Sequence, residues 1–193
     1  MNRSTRLASL VSWIGHPLVF VTATVAIVLA TQLAPRMALA ILGALVLSVI
    51  GPTAIVLILG VRSGRWHDAD VSEREERRRF YPVAIPISAF GTLAAWLAGA
   101  PRYILRGSIV TLFLLVIAAI INLRFKISLH TLFAGFCTGI LFRVNVAYGI
   151  GALLLTALIF WSRLLLKRHT PAETIGGLAL GTLGAIIAAW MSI

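Results

Sequence analysis

The sequence predicts an all-α, polytopic transmembrane helix bundle with about seven membrane spans, six being the alternative count. Two observations predict this fold class. The chain of 193 residues is 60% hydrophobic and only 12% charged, which leaves too little polar surface for a water-soluble domain of this size. The apolar residues also fall into repeated runs that approach the roughly 20 residues needed to cross a bilayer. We therefore expect residues 1–193 to form a single integral membrane domain.

Seven apolar runs follow one another along the chain. The first run begins after Arg3 and Arg6 and is too long for the core of a signal peptide, so we interpret it as a span. The fifth and sixth runs are short and are separated by Arg143, so polar residues at their ends must complete the crossing. The predicted spans are about 10–33, 37–61, 81–99, 104–122, 128–142, 145–161 and 173–191.

The connections between the runs differ in length and charge. Three are brief (Pro35-Arg36, 100–107 and 143–145) and three are polar (62–80, 123–127 and 162–172). By parity, the polar connections lie on the same side of the membrane as the N-terminus. That side carries 13 of the 17 Lys and Arg residues, which slightly favours a cytoplasmic location for it in a cell membrane.

The net charge of +11 excludes few functions by itself. In a soluble protein such an excess would indicate nucleic acid binding. Here the cations border apolar spans, so we expect membrane lipids as partners and no nucleic acid. The single cysteine, Cys137, lies within an apolar run and can form no intrachain disulfide. Two GxxxG pairs, Gly135/Gly139 and Gly177/Gly181, predict close helix packing.

The strongest local signal for chemistry is segment 162–173. His169 and Glu173 are four residues apart and would share one face of a helical turn, where a carboxylate can fix the tautomer of an imidazole. Arg163 offers a planar fork of donors that suits phosphate oxygens. Thr170-Pro171-Ala172-Glu173 also has the form of a capping box, so Glu173 can simply close the start of a helix. The two interpretations are compatible.

A second signal is segment 126–130 at the start of the fifth run. The amides of a helix N-terminus attract an anion. Ser128 adds a hydroxyl donor, Lys126 adds a charge, and His130 can donate a proton. The alternative is a solvated helix start that carries an interfacial histidine.

A third signal is the highly charged connection 62–80. Dense mixed charge is typical of a solvated helix with many surface ion pairs, and this interpretation suits most of its residues. One or two of its arginines could instead turn inward to bind phosphate.

Together these segments resemble the motifs of the type 2 phosphatidic acid phosphatase superfamily, membrane enzymes that act on lipid phosphates and diphosphates. The family carries three motifs, K-x6-R-P, P-S-G-H and S-R-x5-H-x3-D. The third motif is matched by Ser162, Arg163 and His169 at the right spacing, with Glu173 in place of Asp. The resemblance covers about residues 68–181.

The other two motifs are matched less completely. Ser128 and His130 fit the second motif, with Ile127 in place of Pro and Leu129 in place of Gly. The resemblance implies that the family's helical core occupies about residues 68–190.

In the first motif, Arg74 takes the position of the family's Lys. Tyr81 then stands where the family has Arg, and Pro82 follows it. Arg78 or Arg79 could supply the missing guanidinium from a shifted register.

The resemblance implies a two-step phosphoryl transfer that needs no metal and no cofactor. His169 would attack phosphorus and form a phosphohistidine, Glu173 would orient His169, and His130 would protonate the leaving oxygen. The hydrocarbon tail of a lipid phosphate, either phosphatidic acid-like or a polyprenyl phosphate or diphosphate, would lie between helices. The implied phosphate-binding residues are Arg163, Ser128, Arg74 and Arg78, with Lys126 as an auxiliary.

Two other functions remain open from the sequence. Asp68, Asp70 and Glu73 could hold Mg²⁺ on a diphosphate in a metal-dependent intramembrane prenyl or phospho transferase. The same scaffold could also bind or transport a lipid phosphate without catalysis.

Overall fold

The computed structural model describes residues 2–190, and every regular element in that part of the chain is helical. The predicted all-α class is therefore confirmed. Met191, the last residue predicted for the seventh span, lies outside the described residues. The helices are α1 (Arg3–Ile14), α2 (Pro17–Gln32), α3 (Pro35–Leu45), α4 (Gly51–Arg62), α5 (Arg74–Leu97), α6 (Arg102–Asn122), α7 (Leu129–Val144), α8 (Val146–Leu165) and α9 (Pro171–Trp190), with a π-helical segment, Val46–Ile50, between α3 and α4.

In the described part of the chain, fewer helices have the length and hydropathy of a membrane span than the seven predicted, and the upper count equals the alternative of six. Within residues 2–190, five helices are long and apolar enough, and a sixth is added if α1 and α2 count as one bent span. The remaining predicted span corresponds to α7, which is apolar but only 16 residues long. About 1.5 Å of rise per residue makes α7 shorter than a 30 Å hydrocarbon core. These helices are consistent with an integral membrane protein.

The first predicted span is broken rather than continuous. Its two parts, α1 and α2, meet at an angle of 51° across Gly15 and His16. Gly15 ends α1, and Pro17 begins α2, where its missing N–H has no helical partner to lose. Two helix-breaking residues on either side of a histidine therefore produce the bend.

The second predicted span, 37–61, corresponds to Pro35–Arg62 in the structure, which continues through the π-helical segment. Pro52 lies two residues after that segment, and proline can neither donate a backbone hydrogen bond nor accommodate the carbonyl four residues earlier. Widening the helix before Pro52 accommodates the ring without ending the span.

Two predicted connections prove shorter than the sequence indicated. The connection predicted at 62–80 ends early, because α5 begins at Arg74. The connection predicted at 162–172 contains only residues 166–170 outside helices, because α8 continues to Leu165. Charged residues at these positions therefore lie on helix ends, since a span needs apolar residues only within the hydrocarbon region.

The described chain forms two compact units. The first comprises residues up to Val28 and from Ile127 onward, and the second comprises Leu29–Lys126. In the first unit α7 packs against both α8 and α9, and α1 packs against α8. Its core consists of buried apolar side chains from α1, α2, α7 and α8: Val11, Phe20, Ala134, Cys137, Leu141, Ala152 and Ile159.

The second unit is built mainly from α5 packed against α6, with α3 and the π-helical segment against α5. Large apolar side chains cover the outside of both units, and Leu47 and Trp13 remain 79% and 77% exposed. Exposed apolar area on this scale suits lipid rather than water.

Candidate functional site

The imidazole of His169 and the carboxylate of Glu173 form a close pair at the start of α9. The Nδ1 atom of His169 lies 2.8 Å from Oε2 of Glu173, and the histidine side chain is fully buried. With its proton on Nδ1, His169 donates to the carboxylate, and its lone pair is then on Nε2. This arrangement prepares Nε2 to act as a nucleophile or as a base.

The same carboxylate also caps α9. Oε2 of Glu173 accepts the backbone N–H of Thr170 at 3.2 Å, and the N–H of Glu173 donates to Oγ1 of Thr170 at 3.3 Å. This reciprocal pair is the capping box that the sequence predicted. His169 itself precedes the helix, so the cap, rather than a continuous helical turn, brings its ring to Glu173.

Hydrogen bonds to backbone carbonyls join the start of α7 to the start of α9. The N–H of Ser128 donates to the carbonyl of Glu173 at 3.0 Å, and Oγ1 of Thr131 donates to the carbonyl of Thr174 at 2.8 Å. Ser128 is fully buried and caps α7 by accepting the N–H of Thr131 at 3.4 Å. The second and third sequence motifs therefore meet at one end of the first unit.

The close approach of these helices depends on glycine in α9. A Cβ at Gly177 would overlap the carbonyl oxygen of Ser128, and one at Gly181 would overlap that of Leu132. A Cβ at Gly135 in α7 would come within 2.8 Å of the carbonyl oxygen of Leu178. The close packing predicted from the GxxxG pairs is confirmed.

His130 is the second residue of α7 and is almost completely buried. Its ring meets that of His16 edge to face, with ring centroids 5.4 Å apart and planes at 88°. His16 comes from the bend between α1 and α2, and its Nδ1 accepts the N–H of Leu18 at 3.3 Å. An aromatic contact of this geometry fixes the orientation of both rings.

Arg163 lies in the last turn of α8 and is fully buried. Its Nη1 donates to Oγ of Ser12 on α1 at 2.6 Å. Ser162 beside it is also fully buried, and its hydroxyl donates to the carbonyl of Ile159 at 2.8 Å. A guanidinium removed from water must be compensated by polar partners or by a counter-ion, so Arg163 marks a polar place within an apolar unit.

The residues assigned to the first motif belong to the second unit. Nη1 of Arg74 donates to the carbonyl of Arg124 at 2.8 Å, and Nη2 of Arg78 donates to that of Leu123 at 3.1 Å. Both arginines therefore hold the C-terminal end of α6, where cations are favourable. A guanidinium has five N–H donors, so these contacts do not use all the donors of either arginine. Phosphate binding by Arg74 or Arg78 stays a prediction, and so does phosphate binding by Lys126, the last residue of this unit.

Arg77 is an inward-facing arginine that the site assignment from sequence did not include. It is 1% exposed, and its Nε donates to the carbonyl of Val71 at 2.8 Å. Val71 has a φ of 47°, which is unfavourable for a β-branched residue. Arg77 thus supports a strained turn.

Acidic residues of the second unit form hydrogen bonds with residues close to them in the sequence. Both carboxylate oxygens of Asp68 accept from the hydroxyl of Ser72, at 3.1 and 2.9 Å. Within residues 2–190, no three His, Cys, Asp or Glu side chains are grouped so that they could hold a metal ion.

Ser12 and His16 are the site residues that sequence reasoning missed. The available signal was a Gly-His-Pro break within an apolar run, with a serine one helical turn before the histidine. The candidate site of the first unit therefore comprises Ser128, His130, Arg163, His169 and Glu173 with these two residues from the bent helix pair. Its observed contacts join Ser128 and His169 to Glu173, His130 to His16, and Arg163 to Ser12. Comparison of the chain with protein-family models, with curated proteins and with solved structures finds no match.

Proposed function

We propose that this protein is a membrane phosphatase that hydrolyses a lipid phosphate or diphosphate through a phosphohistidine intermediate. The observation that carries the proposal is the buried pair of His169 and Glu173, with Nδ1 2.8 Å from Oε2. A carboxylate on Nδ1 raises the nucleophilicity of Nε2 and stabilises the imidazolium character that develops as the ring bonds to phosphorus.

The reaction has two steps. In the first, the lone pair on Nε2 of His169 attacks the terminal phosphorus and the bond from that phosphorus to the leaving oxygen breaks. The leaving oxygen is the lipid oxygen of a monophosphate or the bridging oxygen of a diphosphate, and His130 gives it a proton. In the second, water attacks the phosphohistidine, His130 takes a proton from the water, and the P–N bond breaks to release phosphate. Both histidines return to their starting state.

Arg163 and Ser128 are the proposed phosphate ligands in the first unit. The guanidinium of Arg163 presents paired N–H donors to the phosphoryl oxygens, and the fixed position of α7 directs its first amides toward an anion. Buried donors of this kind stabilise charge in the transition state most effectively, because little water screens them. The apolar outer surface suits a substrate whose hydrocarbon tail stays in the bilayer.

The membrane arrangement forms part of the same proposal. With α1 and α2 as one bent span and α7 as a short crossing completed by its polar ends, the chain has seven spans and a helical core like that of type 2 phosphatidic acid phosphatases. The 13 cations on the side of the polar connections then favour an active site that faces the cytoplasm of a cell membrane.

The proposal is tested by release of inorganic phosphate from phosphatidic acid and from a polyprenyl diphosphate, with EDTA present. We expect the purified wild-type chain to release phosphate and His169→Ala to lose the activity by about 10³-fold or more, because the nucleophile is gone. Brief incubation with a ³²P-labelled substrate should leave an acid-labile label on the wild-type chain and none on His169→Ala.

The matched control is His67→Ala, which changes an exposed histidine in the second unit. It should retain wild-type activity. Undiminished turnover in His169→Ala would contradict the mechanism, and lipid binding without any turnover by the wild-type chain would favour a non-catalytic lipid binder.

A further inference from the structure

The bent helix pair α1–α2 reaches the proposed active site at two points. Ser12 and His16 are four residues apart, and they contact residues of two different motifs. Oγ of Ser12 accepts from Nη1 of Arg163 at 2.6 Å, while the ring of His16 lies edge to face with that of His130 at 5.4 Å. Neither Ser12 nor His16 belongs to the segments that carry the proposed chemistry.

The local sequence explains why both contacts occur together. Gly15 lies so close to α8 that a Cβ there would overlap the side chain of Ile159. The end of α1 can therefore approach the last turns of α8, which brings Ser12 to Arg163. Pro17 then starts α2 in a new direction, and this leaves His16 in the bend instead of within a continuous helix.

The hydrogen bond of His16 determines which nitrogen of its neutral ring carries the proton. Because its Nδ1 accepts the N–H of Leu18 at 3.3 Å, the neutral ring carries its proton on Nε2. His16 therefore caps α2 with one edge and packs its ring against His130. His130 is 2% exposed, so a change in the neighbouring ring changes the position of an imidazole that has little room to move independently.

We infer that Ser12 and His16 are positioning residues of the active site, with Ser12 orienting the guanidinium of Arg163 for phosphate and His16 orienting the imidazole of His130 for proton transfer. This inference rests on the proposed phosphatase function. It assigns the bent helix pair a role in the reaction besides anchoring the chain in the membrane.

The two residues should affect different kinetic constants. Arg163 contacts phosphate from the bound substrate onward, so loss of the Ser12 hydroxyl should raise KM for the lipid phosphate. His130 transfers its proton only as the P–O bond breaks, so loss of the His16 ring should lower kcat and leave KM unchanged. A purely structural role would reduce the amount of folded protein and leave both constants of the folded fraction unchanged.

The experiment compares Ser12→Ala with Ser12→Thr, and His16→Asn with the wild-type chain, using phosphatidic acid in mixed micelles. We expect about a tenfold rise in KM for Ser12→Ala, recovery in Ser12→Thr because the hydroxyl is restored, and a fall in kcat of ten- to about a hundredfold for His16→Asn. Asparagine can still cap α2 through its side-chain oxygen, so His16→Asn removes the ring while preserving the helix start.

Matched controls come from the same chain. Ser4→Ala changes an exposed serine of α1, and His67→Asn changes an exposed histidine of the second unit. Neither should alter KM or kcat. If the wild-type chain is active and both Ser12→Ala and His16→Asn keep its KM and kcat, the inference is overturned. The proposed phosphatase function would not be affected by that result.

A readout that needs no turnover separates the two proposals. Imidazole ¹⁵N spectra of the histidine-labelled chain in nanodiscs should show the His130 signal shifted in His16→Asn and unshifted in His67→Asn. Titration with inorganic phosphate should shift the His130 signal less in Ser12→Ala than in the wild-type chain. A wild-type chain that releases no phosphate would overturn the phosphatase, whereas a His130 signal indifferent to His16→Asn would overturn the positioning role in either case.

Discussion

At the scale of single residues, Glu173 combines a structural and a chemical role in one oxygen atom. Oε2 accepts both from Thr170 at the start of α9 and from His169 beside it. A capping box requires Glu or Gln at this helical position, because the side chain must reach back to the N-cap amide. This requirement gives a physical reason for Glu at position 173, where the motif S-R-x5-H-x3-D has Asp.

The two roles of Glu173 can be separated by substitution. Glu173→Gln keeps a side chain that completes the capping box but removes the negative charge. We expect the midpoint of thermal unfolding to stay near that of the wild-type chain, while kcat falls by about 10² to 10⁴-fold because the developing imidazolium loses its counter-charge. Phosphate release and thermal unfolding in the same detergent measure both quantities.

The converse substitution, Thr170→Ala, is the matched control. It removes the hydroxyl cap and should cost about 1 kcal/mol of stability. Activity per folded molecule should change little, because the Thr170 N–H that Oε2 of Glu173 accepts is kept. A loss of stability in Glu173→Gln equal to that in Thr170→Ala, without a greater loss of kcat, would show that Glu173 serves only the helix start.

The residue scale also shows how far the sequence could predict the site. The four-residue spacing of His169 and Glu173 predicted a histidine–carboxylate pair close to Arg163 in the sequence. The structure brings His169 and Glu173 together. The contact between Ser12 and Arg163 joins residues 151 positions apart. No local pattern marks such a contact, because it arises from the packing of α1 against α8.

At the scale of helices, the pairing of α7 with α9 positions the site. Hydrogen bonds from Ser128 and Thr131 reach the carbonyls of the first turn of α9, and glycines in α9 allow that approach. In a membrane, where water-driven association between helices is absent, close backbone contact of this kind supplies much of the packing energy.

Adjacent glycines in α9 offer a direct test of this packing. A Cβ at Gly177 would overlap the carbonyl oxygen of Ser128, whereas one at Gly176 meets only Cγ2 of Ile127 at an ordinary 3.5 Å. We expect Gly177→Ala to destabilise the chain by about 1–3 kcal/mol and to reduce activity by displacing Ser128. Thermal unfolding and phosphate release would measure the two effects.

Gly176→Ala should instead be neutral or stabilising by up to about 1 kcal/mol, since alanine favours the helix. Equal effects of the two substitutions on stability and activity would contradict the proposed role of the α7–α9 contact.

Helix boundaries show why hydropathy alone misplaced parts of the fold. A span of about 20 residues is recognised by its average composition, so the short break at Gly15 and His16 left the first predicted span apparently intact. The same averaging ended the sixth span at 161, although α8 continues through Ser162 and Arg163. Local capping signals were more reliable at Thr170, because a cap depends on a few neighbouring residues.

At the scale of the whole molecule, the number of crossings determines which connections share a side of the membrane. Three helices, α6, α7 and α8, lie between the end of α5 and the start of α9. If α7 crosses, as the proposed seven spans require, Ala98 and Ala172 face opposite sides. If α7 does not cross, only α6 and α8 do, and both residues face the same side.

Cysteine labelling can decide between these topologies. In a Cys137→Ala background, Ala98→Cys and Ala172→Cys each place a thiol at an exposed position. We expect a membrane-impermeant maleimide to label Ala98→Cys in intact cells and Ala172→Cys only in inside-out vesicles. Labelling of both from one side would contradict the short crossing by α7, and labelling of Ala172→Cys in intact cells would reverse the proposed orientation.

The shared oxygen of Glu173 has a consequence for biosynthesis. Ser12, His16, Ser128, His130 and Arg163 all precede α9 in the chain, and His169 acquires its carboxylate partner only when the first turn of α9 closes. In the proposed mechanism, a chain that has folded only its earlier helices therefore lacks an oriented nucleophile. In the proposed phosphatase, the turn that caps α9 is therefore also the turn that orients the nucleophile.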